Sequence, residues 1–244
     1  MTFKSASISK TGGREENQDY FDSKVIDHAG LWIVADGLGG HRGGAVASQT
    51  AVRAMLDSWH SEADSIPPTI GELIDAAQTA ILNERDTDPQ LSAMRTTVVA
   101  LHIVGDQALW GHVGDSRLYL YRGCAMAFQT KDHSVPQVMV DAGEITREQI
   151  RNHEDRNRLL RAVGNPDGVK PTILESPQPV RPGDAFLLCT DGFWEYVTEA
   201  EMVVDLVKSN TPMEWLERME LRLVVRAAAD HDNYTALALF IVEE

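Results

Sequence analysis

Short apolar or alternating runs, each bounded by glycine, aspartate or proline, predict the β-strands of this chain. The predicted strands are Phe3–Ser9, Leu31–Val34, Thr97–Val104, Ala108–Val113, Leu118–Tyr121, Ala185–Cys189 and Tyr234–Val242. Turn signals recur at Gly105-Asp106 and at Gly114-Asp115. Because these turns separate three consecutive strands, the sequence predicts that residues 97–121 form a meander.

Four other stretches have the apolar spacing of amphipathic helices. Val52 to Trp59 and Ile70 to Ile81 lie consecutively between strand groups, which predicts two helices stacked on one sheet face. A later pair, Glu199–Lys208 and Pro212–Ala228, is predicted to cover another face. Thr211 and Glu214 form a capping-box pattern at the start of the last helix. Grouped strands and grouped helices indicate an α+β fold.

The charge balance narrows the classes of function. The chain has 37 acidic and 22 basic residues among 244, for a net charge of −15. That balance argues against nonspecific nucleic-acid binding, which depends on lysine and arginine to neutralise phosphates. An anionic substrate would also be repelled unless bound cations invert the local field.

The organisation of the chain predicts a single cytoplasmic domain over residues 1–244. No linker divides it, and the first residues lack the apolar core of a signal peptide. No run reaches the roughly 18 apolar residues of a membrane helix, so no membrane association is expected. Cys189 lies in an apolar run and is predicted to be a small buried side chain.

Five aspartates on glycine-punctuated turns are candidate metal ligands, since hard divalent cations bind carboxylates placed after strands. They are Asp19, Asp36, Asp115, Asp191 and Asp232. Each taken alone also fits a simple turn, and Asp232 fits an Asx turn. The carbonyl of Gly37 is a further candidate ligand. Arg14 suits capture of phosphate oxygens, although it would equally neutralise the neighbouring Glu15 or Glu16.

The chain resembles the type 2C metal-dependent protein phosphatases (the PPM family). The motifs that carry the resemblance are Arg14-x-x-Asn17-Gln18-Asp19, Ala35-Asp36-Gly37-x-Gly39-Gly40-His41, Gly114-Asp115-Ser116-Arg117, Thr190-Asp191-Gly192-x-Trp194 and Asp232-Asn233. Secondary landmarks lie at residues 131–134, 140–145 and 157–164. Each motif alone is weak, but all of them occur in order from about residue 5 to residue 242.

The resemblance implies a four-layer α/β/β/α sandwich of two antiparallel sheets flanked by helices, with a dimetal site at one end. Asp19, Asp36, Asp191 and Asp232 would hold two Mn²⁺ or Mg²⁺ ions with help from the Gly37 carbonyl. Asp115 would join Asp191 at a weaker third site. Residues from about 135 to 165 match the family's flap. From the residues alone, this polar segment fits either a mobile flap or a helical excursion on the surface. The resemblance favours the flap.

The implied activity is hydrolysis of phosphoserine and phosphothreonine in proteins by a metal-bridging hydroxide that attacks phosphorus in line. Arg14, Asp36 and Asp191 would carry catalysis. Leu38 stands where many eukaryotic relatives have a general-acid histidine, so His41 and a metal-bound water are the alternatives for protonating the leaving group.

The expected partners are a phosphorylated protein substrate and a cognate Ser/Thr kinase, with the chain acting as a monomer. Phe193–Val197 resembles members that serve secretion machinery, including type VI systems. The rival functions are a catalytically silent binding module and a small-molecule phosphate monoesterase.

Overall fold

The computed structural model describes residues 1–39, 41–59, 68–123 and 125–243, with the side chains of residues 41 and 42 left out of the description. Twelve strands occur in this part of the chain. They are β1 (Thr2–Lys10), β2 (Asp19–Ile26), β3 (Ala29–Leu38), β4 (Arg95–Thr96), β5 (Val98–Val104), β6 (Gln107–Val113), β7 (Arg117–Arg122), β8 (Ala125–Gln129), β9 (Thr172–Ile173), β10 (Gln178–Pro179), β11 (Asp184–Cys189) and β12 (Tyr234–Val242).

These strands form two antiparallel sheets. The first sheet has the order β1-β12-β11-β7-β8. The second has the order β10-β6-β5-β3-β2, with β4 added beside β3 and β9 beside β6. The predicted α+β class with two antiparallel sheets is confirmed.

The helices cover the two outer sheet faces. They are α1 (His41–Ser58), α2 (Ile70–Thr87), α3 (Val135–Asp141), α4 (Asp191–Trp194), α5 (Glu199–Val207) and α6 (Pro212–Arg226), with 3-10 turns at Pro89–Leu91 and Arg147–Asn152. The pair α1 and α2 packs on the second sheet, and α5 and α6 pack on the first. None of the helices in the described ranges is long and apolar enough to cross a membrane.

Three apolar layers separate the four structural layers. In β3, Leu31, Ile33 and Ala35 pack among the residues of α1 and α2, whereas Trp32 and Val34 pack between the sheets. This alternation follows from the two-residue period of a strand. Because both faces are covered, the strand reads as a continuous apolar run. The implied four-layer sandwich is therefore confirmed.

The predicted meander over residues 97–121 is wrong in its last step. Strands β5 and β6 do pair as a hairpin, but β7 lies in the other sheet between β11 and β8. Gly114 makes the crossing with a φ of 101°, a left-handed conformation that glycine adopts without strain. The Gly114-Asp115 signal therefore marks a change of sheet.

The first turn of α6 differs in one detail from the predicted capping box. Thr211 Oγ1 accepts a hydrogen bond from the Glu214 amide at 3.2 Å, as predicted. The Glu214 carboxylate, however, accepts a hydrogen bond from the Asn210 amide at 2.8 Å. The reciprocal contact thus reaches one residue further back than the motif requires.

Candidate active site

Pairing of β2 with β3 brings the first two candidate aspartates together. Asp19 lies directly opposite Asp36 in the ladder. Beside this pair, the Gly37 amide donates a hydrogen bond to the Gln18 carbonyl at 3.1 Å. A Cβ on Gly37 would lie 2.0 Å from the carbonyl oxygen of Gly44 in α1. The glycine is therefore required for the close approach of α1 to this end of β3.

Asp191 begins the short helix α4, and the residue before it connects the two sheets. Thr190 Oγ1 donates a hydrogen bond to Asp19 Oδ2 at 2.9 Å. The same hydroxyl oxygen accepts a hydrogen bond from the Thr235 amide at 3.0 Å. Thr190 thus links the end of β11 in one sheet to the start of β2 in the other, and it places Asp191 close to Asp19.

Asp232 is positioned by the residue that follows it. The Asn233 side-chain amide donates to the carbonyls of Thr11 and Glu16 at 2.8 and 2.9 Å, and its Oδ1 accepts from the Gln18 amide at 2.8 Å. A Cβ on Gly192 would lie only 2.0 Å from the Asn233 carbonyl oxygen. The segments that contain residues 11–18, 191–192 and 232–233 are therefore packed closely against one another.

Arg14 lies in the site and contacts an aspartate. Its Nη2 donates a hydrogen bond to Asp232 Oδ2 at 3.1 Å, and 55% of the arginine side chain is exposed. The open alternative, in which Arg14 neutralises Glu15 or Glu16, is not the arrangement seen. Its guanidinium remains accessible from solvent at the mouth of the site.

Asp115 is buried at the crossing from the second sheet to the first. Its carbonyl accepts a hydrogen bond from Trp194 Nε1 at 3.0 Å, so the helix that begins at Asp191 also fixes the backbone of Asp115. The next residue, Ser116, exchanges a hydrogen bond with Thr97 at 2.7 Å. Asp115 is thereby held beside Asp191 from two directions.

A cavity of about 440 Å³ at this end of the sandwich is lined by four of the five aspartates. Those four are Asp36, Asp115, Asp191 and Asp232, and Arg14 and Gly37 also line the cavity. Asp19 does not line the cavity. It is buried, and its carboxylate accepts the hydrogen bond from Thr190. The described residues thus bring together all the sequence-predicted site residues except His41, whose side chain lies outside the description.

Burial and mutual repulsion raise the pKa values of Asp19, Asp36, Asp115 and Asp191. Burial, with the charges of Asp191 and Asp232, raises the pKa of Asp19 to about 7, against hydrogen bonds that lower it. Burial and Asp232 raise the pKa of Asp191 to about 6. Burial and neighbouring carboxylates raise the pKa values of Asp36 and Asp115 well above their ordinary range. Divalent cations are the chemical means of stabilising such a cluster in its charged form.

The donor set fits hard cations, although the side chains are not arranged as a finished coordination shell. Among the described residues, no three acidic, histidine or cysteine side chains form a ready metal-ligand group. The carboxylates instead hold protein donors: Asp191 accepts from the Gly192 amide at 2.7 Å and Asp232 from the Asn233 amide at 2.9 Å. The oxygen-only chemistry and the shared cavity nevertheless suit Mn²⁺ or Mg²⁺.

Sequence reasoning assigned no role to three residues that shape the site. Thr190 and Asn233 stand beside Asp191 and Asp232 in the motifs, so their positions were available as a signal. Nothing in the sequence indicated a role for Glu195 in the site. Burial and the charge of Asp191 raise the pKa of Glu195 to about 7, and Arg156 pairs with it at 3.1 Å.

The fold and site define a two-sheet sandwich protein with a carboxylate-lined cavity suited to divalent cations. Residues 9–225 match the family model described as Protein phosphatase 2C. The chain belongs to this family of bacterial Ser/Thr phosphatases, and the predicted family and enzyme class are confirmed.

Known proteins similar to this chain are described as serine/threonine phosphatases. The serine/threonine phosphatase stp of Listeria innocua is 36% identical over 229 residues, covering 91% of this chain and 88% of the relative. The structure of the Mycobacterium tuberculosis serine/threonine phosphatase PstP/Ppp is 29% identical with a TM-score of 0.85, and all of both chains is covered.

Two further similar structures are described with a bound metal and with a biological pathway, respectively. The catalytic domain of the phosphatase PstP in complex with two manganese ions is 30% identical with a TM-score of 0.81, covering 99% of each chain. PppA, described as a key regulatory component of the type VI secretion system in Pseudomonas aeruginosa, is 29% identical with a TM-score of 0.76, covering 98% of each chain.

Proposed function

We propose that this protein hydrolyses phosphoserine and phosphothreonine in proteins with the help of bound divalent cations. The observation that carries the proposal is the cavity lined by Asp36, Asp115, Asp191 and Asp232 in a chain of the protein phosphatase 2C family. The two-manganese complex of a 30% identical phosphatase supports the choice of cofactor.

Asp19, Asp36, Asp191 and Asp232, with the Gly37 carbonyl, would hold two Mn²⁺ or Mg²⁺ ions. Asp115 with Asp191 would hold a weaker third ion. Bound divalent cations would neutralise the carboxylates, lower the pKa of water and stabilise charge on the phosphate oxygens.

Hydrogen bonds from neighbouring residues hold the backbone of Asp36 in place. The Asp36 carbonyl accepts hydrogen bonds from Thr96 Oγ1 at 2.7 Å and from the Thr97 amide at 2.8 Å. The Asp36 amide donates to Thr97 Oγ1 at 3.0 Å. A ligand on such a strand end needs little ordering when a cation or substrate binds, and fixed geometry of this kind is a large part of catalysis.

Arg14 would bind and orient the phosphate at the mouth of the cavity. Its guanidinium carries planar donors that match phosphate oxygens. The contact with Asp232 keeps the guanidinium turned toward the site before substrate arrives. We keep His41 as a candidate proton donor to the leaving alkoxide, because α1 begins at that residue shortly after the end of β3 that bears Asp36 and Gly37.

The biological setting remains part of the proposal. We propose that the protein acts as a cytoplasmic monomer and opposes a cognate Ser/Thr kinase. A role in a secretion system is favoured only by the similarity to PppA, one neighbour among several. Segment 135–165 is proposed as a flap over the substrate, because Asn157 and Leu159 line the same cavity as Asp36.

The test is phosphate release from a phosphothreonine peptide with Mn²⁺ and with excess chelator, for the wild type and for Asp191→Asn. We expect activity that requires metal and falls by at least about 100-fold in the variant, the scale seen when preorganised charge stabilisation is removed. Circular dichroism would show that the variant is folded. Folded wild-type protein that releases no phosphate from any peptide with any metal would refute the enzymatic function and favour a binding module.

A further inference from the structure

A second cavity opens directly beside the carboxylate-lined one. It has a volume of about 340 Å³, and Leu38, Gly39 and Leu159 line both cavities. The remaining wall carries Arg95, Arg161 and the exposed side chain of Leu160. We call this second cavity the arginine groove. Because the two cavities share a wall, a chain that places a phosphorylated side chain in one would extend into the other.

The arginine groove carries positive charge that no acidic side chain in the described part of the chain neutralises. Both arginines are exposed, and neither forms an ion pair with an acidic side chain in the described ranges. This stands out in a chain with a net charge of −15. Unpaired arginines at a concave site favour a ligand with carboxylate or phosphate groups.

The backbone of the groove is fixed in place. Thr96 and Val163 exchange two backbone hydrogen bonds of 3.1 and 2.8 Å, which tie the segment that bears Arg161 to the strand that bears Arg95. The Gly164 carbonyl also accepts a hydrogen bond from Arg85 of α2 at 2.8 Å. Both arginines are thus presented from a supported surface and need little backbone ordering on binding.

One of the two arginines is also oriented by its neighbours. Arg161 Nη1 donates to the Lys170 carbonyl at 3.2 Å and lies 3.3 Å from His133 Nε2. These contacts leave the other guanidinium donors for a ligand. The Arg95 guanidinium has no hydrogen bond to another described side chain or carbonyl, so its charge is free to follow a bound group.

The carboxylate-lined cavity also carries acidic side chains that the arginine groove lacks. Glu15 and Glu16 line the carboxylate cavity but not the arginine groove. A peptide running through both cavities therefore meets acidic side chains at one place and basic ones at another. That asymmetry provides a means of choosing between substrate sequences and of fixing their direction.

We propose that the arginine groove selects phosphoprotein segments that carry acidic residues on one side of the phosphorylated serine or threonine. This inference rests on the proposed phosphatase function and names its substrate class. Arg95 and Arg161 act as specificity residues that contact the flank of the substrate, while the aspartates and Arg14 act at the phosphate. The side chains of Leu38 and Leu160 would contact the aliphatic part of the acidic residue that flanks the phosphorylated one.

The test compares phosphothreonine peptides of one length that carry Glu, Gln or Lys at the two positions before or after the phosphothreonine. We expect Glu to raise kcat/KM over Gln by about 3- to 10-fold on one flank only, as two exposed charge pairs would give. The preference should shrink at high salt, since exposed pairs are screened. Arg95→Glu with Arg161→Glu should make Lys the preferred residue on that flank, and Arg95→Lys with Arg161→Lys should keep the preference for Glu.

The matched control is Arg218→Glu, an exposed arginine on α6 at the other sheet. It should leave the preference for Glu unchanged. The inference is overturned if the wild type does not distinguish the peptides, if the preference survives reversal of both arginines, or if Arg218→Glu abolishes it equally. Faster arginine-dependent turnover of a small bisphosphorylated molecule than of any peptide would assign the groove to another ligand class. Absence of phosphate release from every peptide would instead refute the phosphatase function and this inference with it.

Discussion

The buried ion pair behind the site leads to a sharp prediction about stability. Arg117 Nε and Nη2 donate to the two carboxylate oxygens of Asp132 at 2.8 and 2.7 Å, and both side chains are almost fully buried. Burial alone would lower the pKa of Arg117, but Asp132 raises it well above its ordinary value. Asp132→Asn should therefore leave a buried arginine that stays charged.

The expected loss is about 3 kcal/mol, near the lower end of the range for breaking a buried pair. Two features reduce it from the upper end. Asparagine keeps one oxygen for one of the two hydrogen bonds. Glu199 also lies 3.6 Å from Arg117 and remains as a partial counter-charge. For a chain of this size the loss corresponds to a fall in Tm of about 6–12 °C.

The residue before Asp132 belongs to an exposed ion pair that serves as a matched control. Lys131 pairs with Asp141 at 2.8 Å, with exposed side-chain fractions of 66% and 52%. Asp141→Asn should cost only about 0.2–1 kcal/mol, because water screens exposed pairs. Urea denaturation followed by tryptophan fluorescence measures both variants. A loss below about 1 kcal/mol for Asp132→Asn, or equal losses for the two variants, would refute the argument that desolvation decides the difference.

Three other predictions concern α1 and the metal-free site. Gly43→Ala should stabilise the protein by about 0.5–1 kcal/mol, because a Cβ there has ordinary contacts within a helix. Gly44→Ala should lower both stability and activity, because its Cβ would lie 2.5 Å from Gln18 Oε1 and 2.8 Å from the Gly37 carbonyl oxygen. Thermal melts and phosphate release measure the two effects. Equal behaviour of the Gly43 and Gly44 variants would contradict this reasoning. In excess chelator, the free energy of unfolding should fall as pH rises from about 4 to about 7, because the raised pKa of Asp19 makes the folded state bind its proton more tightly than the unfolded state. Denaturation at a series of pH values would contradict this if stability rose over that range.

Strand positions were predictable where both faces of a strand are buried. The predicted limits of β5, β6, β11 and β12 lie within one residue of those observed. The limits of β1 also lie within one residue, although several of its positions are exposed. The assignment of strands to sheets was not predictable in the same way. A strand covered on both faces has no polar side, so its pattern does not show which sheet it joins. That is why β7 was placed in a meander with β6 although it crosses to the other sheet.

Two strand features that sequence reasoning missed lie next to the site. Strand β2 was not predicted, because several of its positions are exposed and its apolar pattern is weak. Strand β3 extends through Asp36 and Gly37 to Leu38, beyond the predicted end at Val34, because β2 and β4 pair with it there. Tertiary pairing overrides the local signal of an Asp-Gly turn at this point.

The candidate site was more predictable than its surroundings because its chemistry needs particular residue types. All five aspartates were chosen from their turns, and four of them line one cavity. The hydrogen bonds that hold them depend on residues far apart in the chain, such as Thr190 and Asn233. A spacing pattern does not contain those contacts, so only the folded chain reveals them.

The site end of the sandwich is held together by polar contacts because its carboxylates cannot supply apolar packing. Two of the recognised motifs bond directly to each other there. The Gly114 amide donates to His133 Nδ1 at 3.1 Å, the His133 amide donates to the Gly114 carbonyl at 2.9 Å, and Arg117 pairs with Asp132.

Arg117 also stacks on Trp194, with its guanidinium carbon 3.4 Å from the ring centroid, and Trp194 in turn donates to the Asp115 carbonyl. A chain of contacts therefore runs from the buried ion pair to the helix that begins at Asp191. Buried polar networks of this kind fix geometry when every member is satisfied. Weakening the pair at Arg117 should consequently disturb Asp115 and Asp191 before it disturbs Asp19 and Asp36, which are held by the β2–β3 ladder.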